Sequence, residues 1–469
     1  MADPASVTTA PVRPLTRDLA RWIVTAGRAP LPPDVEHHTR RVVLDYLAAA
    51  LAGSRSDSAV LVRDYLAATE APGRVQVLGT ALRLSAAQAA LANGTAAHGL
   101  EVDDGYTPGA YHPGAPVISA ALAAAEDHGS SFDRLLVAVA LGFEMSCRLA
   151  GAGHPATWRR GLHNTPLAGV FGAAVAVAVL LDADEQQTVD ALGLAGSHSG
   201  GLFEFLGSGA EVKRLHAGKA ARDGLVCAEL AVRGLTGPAT VLEGANGYAR
   251  VFADGELDEA HLMDDLGATW RMLRTYVKPY PCCRHLHGPI DAVLELVAEH
   301  GLAADDVRSI EVGTYPVAVG HGFHEVDDFL DAQMSIPYAV AVTAIFGAPG
   351  LGHFDATTRA DPRVRELARR VTVREAADCT RDYPAMRPAR VRVVTADAVL
   401  ETRVDQPWGE PDRPVDDLDL VAKLHRLVDP LCGPEIVDAL ADAVWNGHGD
   451  CTDLLDRISA VGVAELVSS

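Results

Sequence analysis

The chain has 469 residues, of which 48% are hydrophobic, so its length favours two domains and its composition favours a globular fold. With 40 basic against 62 acidic residues, the formal net charge of −22 disfavours nucleic acids and anionic membranes as partners. The seven cysteines show neither CxxC pairs nor regular spacing, which argues against a disulfide framework and a structural zinc site.

The two segments that could target the chain to a membrane lack the required pattern. The N-terminal sequence MADPASVTTAPVRPLTRDLA contains no apolar signal region, so we expect a short disordered lead and a cytoplasmic protein. The most apolar run, residues 166–181, is short for a bilayer span and holds two glycines. We expect it to form a buried core helix.

Helical patterns dominate the first 240 residues, with one short β-like piece at 75–78. The predicted helices are 15–29, 33–51, 57–69, 85–97, one opened by Pro113 and Pro116, 131–149, 165–181, 184–197 and 211–234. The pattern changes near residue 268. Residues 268–281 look extended, 307–315 alternates like a half-buried strand, 389–394 and 401–404 could form a hairpin, and 286–300 and 335–346 are helical.

Helices return at the C-terminus, at 416–428, 433–444 and 451–458. The sequence therefore predicts a mainly α protein with an α+β insert. Residues 1–267 and 408–469 would form a discontinuous all-α helical domain, and 268–407 a smaller α+β domain.

A loop full of titratable groups lies between two of these predicted helices. Residues 93–116, NGTAAHGLEVDDGYTPGAYHPGAP, contain His98, Glu101, Asp103, Asp104 and His112. Loops of this kind often carry binding and catalytic groups. The alternative is a solvated acidic turn with two surface histidines.

Two further clusters lie on predicted helices. His163 comes just before a helix N-terminus, where the helix dipole favours a neutral imidazole suited to accept a proton; it could equally be a capping neighbour without further role. In EVKRLHAGKAA, helical spacing places Lys213 and His216 on one face with small alanines. This favours an anion-binding face over a compensating surface stripe.

The last cluster, KPYPCCRHLHGP at 278–289, has an irregular backbone fixed by prolines and two adjacent cysteines. Adjacent cysteines are poor ligands for one tetrahedral ion. A role in presenting cations to a carboxylate fits better, since an arginine binds a carboxylate with two parallel hydrogen bonds. The candidate cations are Lys278, Arg284, His285 and His287.

Several common enzyme classes are excluded by missing motifs. The sequence has no P-loop, GxSxG or HExxH. The Gly-rich segment 193–209 lacks a preceding strand and the spacing of a dinucleotide fingerprint, so we expect a flexible loop.

Five stretches together resemble the MmgE/PrpD family, which includes 2-methylcitrate dehydratase, cis-aconitate decarboxylase and iminodisuccinate epimerase. They are residues 93–116, GLHNT around His163, EVKRLHAGKAARDGLVCAELAVRGLTGPATVLEG, KPYPCCRHLHGPIDA and QMSIPYAVA. The resemblance covers nearly the whole chain in the same order. It implies a helical domain built from both chain ends, an inserted α+β lid domain, a homodimer, an active site between the domains and no metal or organic cofactor.

The resemblance also implies site residues. The catalytic positions match His112, His163, Lys213 and Lys278. Cys283 stands where some decarboxylases have a histidine. The expected substrate-binding residues are His98, Glu101, Asp103, Asp104, Cys283, Arg284, His285 and His287.

The chain departs from the family in the first of these stretches. Members often read HALDFDDT, whereas this chain reads HGLEVDDG, so Glu101 replaces an aspartate and Gly105 a threonine.

We therefore expect a cofactor-independent lyase that dehydrates or decarboxylates a small di- or tricarboxylate through an enolate-like intermediate. Lys213, Lys278 and Arg284 would hold carboxylates, while the two catalytic histidines act as base and acid. One alternative is an isomerase, an epimerase or cyclase, acting on a specialised metabolite. The other is a metal-dependent hydrolase using His98, Asp103, Asp104 and His112.

Overall fold

The structure is a computed structural model that describes residues 13–207 and 210–468. The predicted N-terminal lead and two residues of the Gly-rich segment lie outside the described residues. The chain is 62% helical with small sheets, so the predicted mainly α fold with an α+β region is confirmed.

Twelve helices precede residue 270 in the described chain. They are α1 (Leu15–Ala26), α2 (Pro33–Gly53), α3 (Asp57–Thr69), α4 (Ala86–Ala97), α5 (Gly114–His128), α6 (Phe132–Gly153), α7 (Ala156–Arg159), α8 (Asn164–Leu180), α9 (Glu185–His198), α10 (Val212–Val232), α11 (Tyr248–Phe252) and α12 (Glu259–Met263). Short antiparallel pairs join β1 (Val75–Gln76) to β2 (Arg83–Leu84), and β3 (Gly105–Tyr106) to β4 (Thr275–Tyr276).

The following part, up to residue 404, mixes helices and strands. Its helices are α13 (His287–His300), α14 (Pro316–Val319), α15 (Phe329–Met334), α16 (Ile336–Phe346), α17 (Ala356–Ala360), α18 (Pro362–Arg369) and α19 (Ala377–Asp382). Its strands are β5 (Ser309–Thr314), β6 (Val371–Glu375), β7 (Ala389–Val394) and β8 (Val399–Val404). The chain closes with α20 (Asp417–Cys432), α21 (Pro434–Asn446) and α22 (Thr452–Ser468).

The four longer strands form one sheet in the order β6-β5-β7-β8. β5 runs parallel to β6 and antiparallel to β7, and β7 and β8 form the predicted hairpin. β6 was not predicted, because VTVRE is short and only its first residue is fully buried. The extended stretch predicted over 268–281 contains a 3₁₀ turn at Arg271–Arg274 followed by β4.

Side-chain caps fix the start of several helices. Asp184 forms a capping box at the start of α9, and Ser131 caps α6 by accepting from the Arg134 amide. α6 continues four residues beyond its predicted end, to Gly153. By length and composition α6 could cross a membrane, but 89% of its most apolar window is buried inside the protein. It is the core helix of this part of the fold, beside the fully buried α8.

Two hydrophobic cores divide the chain. One takes residues between 15 and 277 and between 415 and 461, and the other takes residues between 280 and 404. Trp408 packs against both. We call the first part the helical part and the second the lid part; the domain boundaries at 268 and 408 stay predictions.

Close contact between helices α4 and α10 brings the polar loop after α4 beside the cationic face of α10. A Cβ on Gly218 would lie 2.2 Å from the Leu91 carbonyl oxygen, so only glycine allows the two backbones to approach this closely. Gly105 has a similar role, because a Cβ there would lie 2.3 Å from the ring of Tyr276. The glycine that departs from the family pattern therefore makes room for the pairing of β3 with β4.

Candidate active site

The polar loop between α4 and α5 is buried rather than solvated. His98 has no exposed surface, and Glu101, Asp103 and Asp104 are each 2–3% exposed. The structure adds His163 from the start of α8, Lys213 and His216 from α10, and Lys278 from the segment that leads into the lid part. The interpretation of this loop as a surface acidic turn is therefore wrong.

Glu101 lies at the centre of the charged cluster. One carboxylate oxygen accepts a hydrogen bond from Lys213, and the other lies 3.1 Å from Lys278 Nζ. Burial opposes ionisation of Glu101, but the two ammonium groups outweigh it and hold its pKa well below the usual range. The pKa of Lys278 is raised in return, by Glu101 and Asp103, against the effect of burial.

Asp103 binds the two histidines of the loop. Its Oδ2 lies 2.6 Å from His98 Nδ1 and 3.5 Å from His112 Nδ1. Burial raises the pKa of Asp103, yet the neighbouring histidines and Lys278 bring it well below its usual range. Burial lowers the pKa of His112 to about 3, despite the opposing charge of Asp103, so this imidazole is neutral near pH 7.

Asp104 faces the other way and has a structural role. Its Oδ1 accepts the Gly114 amide at the start of α5, and its carbonyl lies 2.7 Å from His112 Nδ1. Burial and the nearby Asp45 raise the pKa of Asp104 well above its usual value. Its Oδ1 is therefore engaged by the backbone, its Oδ2 is buried without a hydrogen-bond partner, and its predicted substrate-binding role stays a prediction.

His163 and His216 form an imidazole pair, with 3.0 Å between their Nδ1 atoms. Burial, followed by the charges of His98 and His216, lowers the pKa of His163 well below its usual value. Burial also lowers the pKa of His216 to about 4. The neutral form predicted for His163 agrees with this pKa, although its largest cause is burial rather than the helix dipole.

The cations predicted in the 278–289 cluster separate in the structure. The Arg284 guanidinium contacts Glu410 at 3.0 Å, His287 Nδ1 at 2.8 Å and the carbonyls of residues 407 and 408. These contacts join the start of the lid part to residues 407–410, which follow its last strand. They use the hydrogen-bond donors of the Arg284 guanidinium. His285 lies 2.7 Å from the Tyr315 hydroxyl, while Cys283 contacts His321. Arg284 and His287 therefore support the fold around the site, and their predicted substrate role stays a prediction.

Sequence reasoning missed two groups at the boundary between the parts. The Arg387 Nε and the His154 Nδ1 are buried without a hydrogen-bond partner. Burial and the charge of Arg387 lower the pKa of His154 to about 4, so the two groups lie near each other. A buried donor without a partner calls for a bound ion or water. Neither residue belongs to a charged run, so no local pattern pointed to them.

Sequence reasoning also missed Lys423, from α20, which contacts the backbone of the polar loop. Its Nζ lies 2.5 Å from Asp45 Oδ1 and 2.6 Å from the Val102 carbonyl. Helix α20 therefore fixes the backbone immediately before Asp103. Its sequence neighbours carried no signal, since a single lysine on an amphipathic helix is ordinarily solvated.

One trio in the loop could hold a metal ion. Ligand atoms of His98, Asp103 and His112 lie within 4.8 Å of one another. Asp104, the fourth residue of the predicted hydrolase site, is engaged by the Gly114 amide instead. The trio suits a divalent ion in donor type, but Lys278 lies 3.6 Å from Asp103 Oδ1 and would repel one.

The arrangement supports acid–base chemistry on an anionic molecule. Two ammonium groups lie beside neutral imidazoles in a buried setting, where electrostatic interactions are stronger than in water. Lys278 is only 1% exposed, so a substrate must displace protein contacts or enter when the lid part moves. Such a site can bind carboxylates, stabilise an enolate-like charge and move a proton.

One known family and several known proteins are similar to this chain. The MmgE/PrpD N-terminal domain matches residues 17–260, and the MmgE/PrpD C-terminal domain matches residues 280–447. A cis-aconitate decarboxylase of Aspergillus terreus is 27% identical over 97% of this chain and 97% of its own length. The human cis-aconitate decarboxylase is 25% identical over 93% and 92%. A 2-methylcitrate dehydratase of Cupriavidus necator is 28% identical over 31% and 33%.

Proposed function

The chain belongs to the MmgE/PrpD family, and from that premise we propose that it is a lyase that removes CO2 from an aconitate-type tricarboxylate. The observation that carries this proposal is the buried contact of Glu101 with both Lys213 and Lys278, beside neutral His112 and His163. The similarity to cis-aconitate decarboxylases across nearly the whole chain favours decarboxylation over dehydration.

The two lysines would bind substrate carboxylates. In the structure Glu101 occupies them, so a carboxylate ligand would exchange with an internal carboxylate rather than meet two free cations. Loss of CO2 leaves an electron pair on carbon that spreads into an enolate-like system. Positioned ammonium groups stabilise this charge, and such an electrostatic contribution is commonly the largest in catalysis.

The first experiment is proton NMR of the purified protein in D2O with cis-aconitate, 2-methylcitrate, citrate and iminodisuccinate. A decarboxylated alkene from cis-aconitate, deuterated at the new C–H position, would support the proposal. An aconitate-type alkene from a hydroxy acid would favour dehydration instead. Deuterium exchange at an α-position without a new product would favour an epimerase. If all four stay unchanged, the proposed substrate class is wrong.

His163→Ala is the matched test of the site. One general acid or base contributes about 10²–10⁴-fold to rate, so kcat should fall by that order while the protein stays folded. His198→Ala, at a half-exposed side chain at the end of α9, is the control and should keep the wild-type rate. Near-normal turnover in His163→Ala would remove His163 from the mechanism.

The trio His98, Asp103 and His112 favours a second candidate, a metal-dependent hydrolase. This candidate predicts bound metal at about one equivalent and loss of activity with a chelator. Metal analysis of the purified protein with a chelator-treated sample separates it from the lyase. The homodimer implied by the family resemblance and the cytoplasmic location expected from the N-terminal sequence are likewise proposals. Light scattering of the purified chain tests the oligomeric state.

A further inference from the structure

The proposed decarboxylation consumes a proton, and the histidines of the helical part are poor donors of it. The carbanion that remains must receive a proton at one of the carbons over which its charge spreads. Burial keeps the imidazolium forms of His112 and His163 disfavoured near pH 7, so both are better bases than acids. A proton donor with a pKa nearer to 7 is needed on another side of the site.

The lid part carries a thiol and an imidazole in contact. Cys283 Sγ lies 3.9 Å from His321 Nε2, and His321 Nδ1 lies 2.9 Å from the Met334 carbonyl oxygen. A carbonyl only accepts hydrogen bonds, so Nδ1 carries the ring proton and Nε2 presents its lone pair to the thiol. The fold therefore fixes the tautomer that can share a proton with sulfur.

The pKa shifts of the two groups agree with this geometry. Burial raises the pKa of the Cys283 thiol, but His321 outweighs burial and brings it to about 7. Burial lowers the pKa of His321, yet Cys283 raises it above its ordinary value. The neighbouring Cys282 is fully buried, and burial holds its pKa well above the usual range. Only the second of the two adjacent cysteines is therefore suited to exchange a proton.

The pair lies next to the charged cluster of the helical part. Cys283 is near enough to Lys278 to raise its pKa, and Glu101 in turn affects the pKa of both Cys283 and His321. The amide of Cys283 donates to the Gln333 carbonyl, while the Gln333 side chain donates to the Leu100 carbonyl in the polar loop. These hydrogen bonds tie the thiol to the loop that holds Glu101.

We propose that Cys283 and His321 form the proton donor of the lid side, which delivers a proton to the substrate carbon after CO2 has left. The inference rests on the proposed function. The C–C bond breaks and its electron pair stays on the substrate; the S–H bond of Cys283 then breaks and its proton forms the new C–H bond. Water then gives a proton to His321 Nε2 and leaves hydroxide, which the released CO2 takes up as bicarbonate. The imidazolium passes its proton to the thiolate and restores the thiol.

The first test does not depend on turnover. The full-length protein is treated with iodoacetamide between pH 5 and 9.5, and alkylation of each cysteine is followed by mass spectrometry. Cys283 should react with an apparent pKa near 7, and His321→Asn should move that value towards the ordinary thiol value of about 8.5. The half-buried Cys432, whose pKa is raised by burial, is the internal reference. An ordinary pKa for Cys283 that is unchanged in His321→Asn would overturn the proposed coupling between the thiol and the imidazole.

The second test asks whether the pair acts in catalysis. Cys283→Ser keeps a hydroxyl of poor acidity, so kcat should fall about 10²–10⁴-fold with little change in KM. The same variant in D2O should lose deuterium incorporation at the new C–H position in step with turnover. Cys432→Ser should keep the wild-type rate.

The two tests separate this inference from the proposed function. Normal kcat in Cys283→Ser, despite a coupled thiol, would overturn the catalytic role alone. If the wild-type chain decarboxylates nothing, the proposed function fails and the donor role fails with it, while alkylation still decides whether the thiol and imidazole are coupled.

Discussion

Arg387 has a buried guanidinium Nε without a hydrogen-bond partner, near the unpaired Nδ1 of His154. An arginine at the boundary between the two parts can bind a remote carboxylate of a polyanionic substrate. A hydrogen bond to a charged group contributes about 1.5–3 kcal/mol, so Arg387→Met should raise KM about 10- to 100-fold with little change in kcat. Steady-state kinetics with the substrate identified by NMR measure this effect.

Stability distinguishes a binding role for Arg387 from a structural one. A binding role for Arg387 predicts that Arg387→Met leaves the free energy of unfolding without substrate unchanged, because its Nε makes no hydrogen bond that the substitution would break. Arg381→Met, at a side chain that is 70% exposed beside Asp382, is the control and should change neither KM nor stability. A destabilised Arg387→Met with normal KM would assign Arg387 to the fold instead.

Single residues were predictable where the local pattern is dense. The polar loop and the two lysines were found because several titratable groups share a short span or a helix face, and the structure brings them together around Glu101. The contact of Arg284 with Glu410 was not predicted, because the two residues lie 126 positions apart in the chain. This pairing depends on the tertiary structure of the lid part, and a local sequence pattern contains no information about it.

At the scale of elements, the two segments that connect the helical and lid parts, near residues 277 and 409, lie side by side. The Val277 amide donates to the Gly409 carbonyl, and the Gly409 amide donates to the Arg413 carbonyl. Gly409 has φ +97°, and a Cβ there would lie 2.0 Å from the Val277 carbonyl oxygen. Glycine is therefore required at this crossing both by its backbone conformation and by the space available.

Gly409→Ala should lower the free energy of unfolding by more than about 1 kcal/mol, because the new side chain meets both strain and a backbone atom. Gly433→Ala isolates the strain, since Gly433 has φ +84° and a Cβ added there would have no other atom within 4 Å. Urea unfolding of both variants measures the difference. Equal losses would show that the contact with Val277 contributes nothing.

Helices were predicted better than strands for a physical reason. Long helices such as α6 and α8 contain their own hydrogen bonds and long apolar runs, so a local window is enough to find them. Strands of two residues, such as β3 and β4, exist only because residues 105 and 276 meet in space. Their residues alternate too briefly to be recognised without their partners.

At the scale of the whole molecule, several histidines are buried in neutral form, and this fixes how stability depends on pH. Burial lowers the pKa of His38, His154 and His216 to about 4 in the folded protein, against 6.5 as the ordinary value. Between these values the unfolded chain binds a proton that the folded chain does not. The contribution of these histidines to the free energy of unfolding is therefore fully present above pH 6.5 and is lost as the pH falls towards 4.

Each such histidine should lower the free energy of unfolding by about 1.4 kcal/mol per pH unit in this window. Urea unfolding at intervals between pH 7 and 5 measures the slope. His38→Gln, which can keep the hydrogen bond to the Thr275 hydroxyl, should reduce the measured slope by about 1.4 kcal/mol per pH unit. His448→Gln, at a side chain that is 70% exposed, should leave it unchanged. A free energy of unfolding that is constant between pH 7 and 5 would contradict this prediction, because it would mean that these histidines bind protons equally in the folded and unfolded chains.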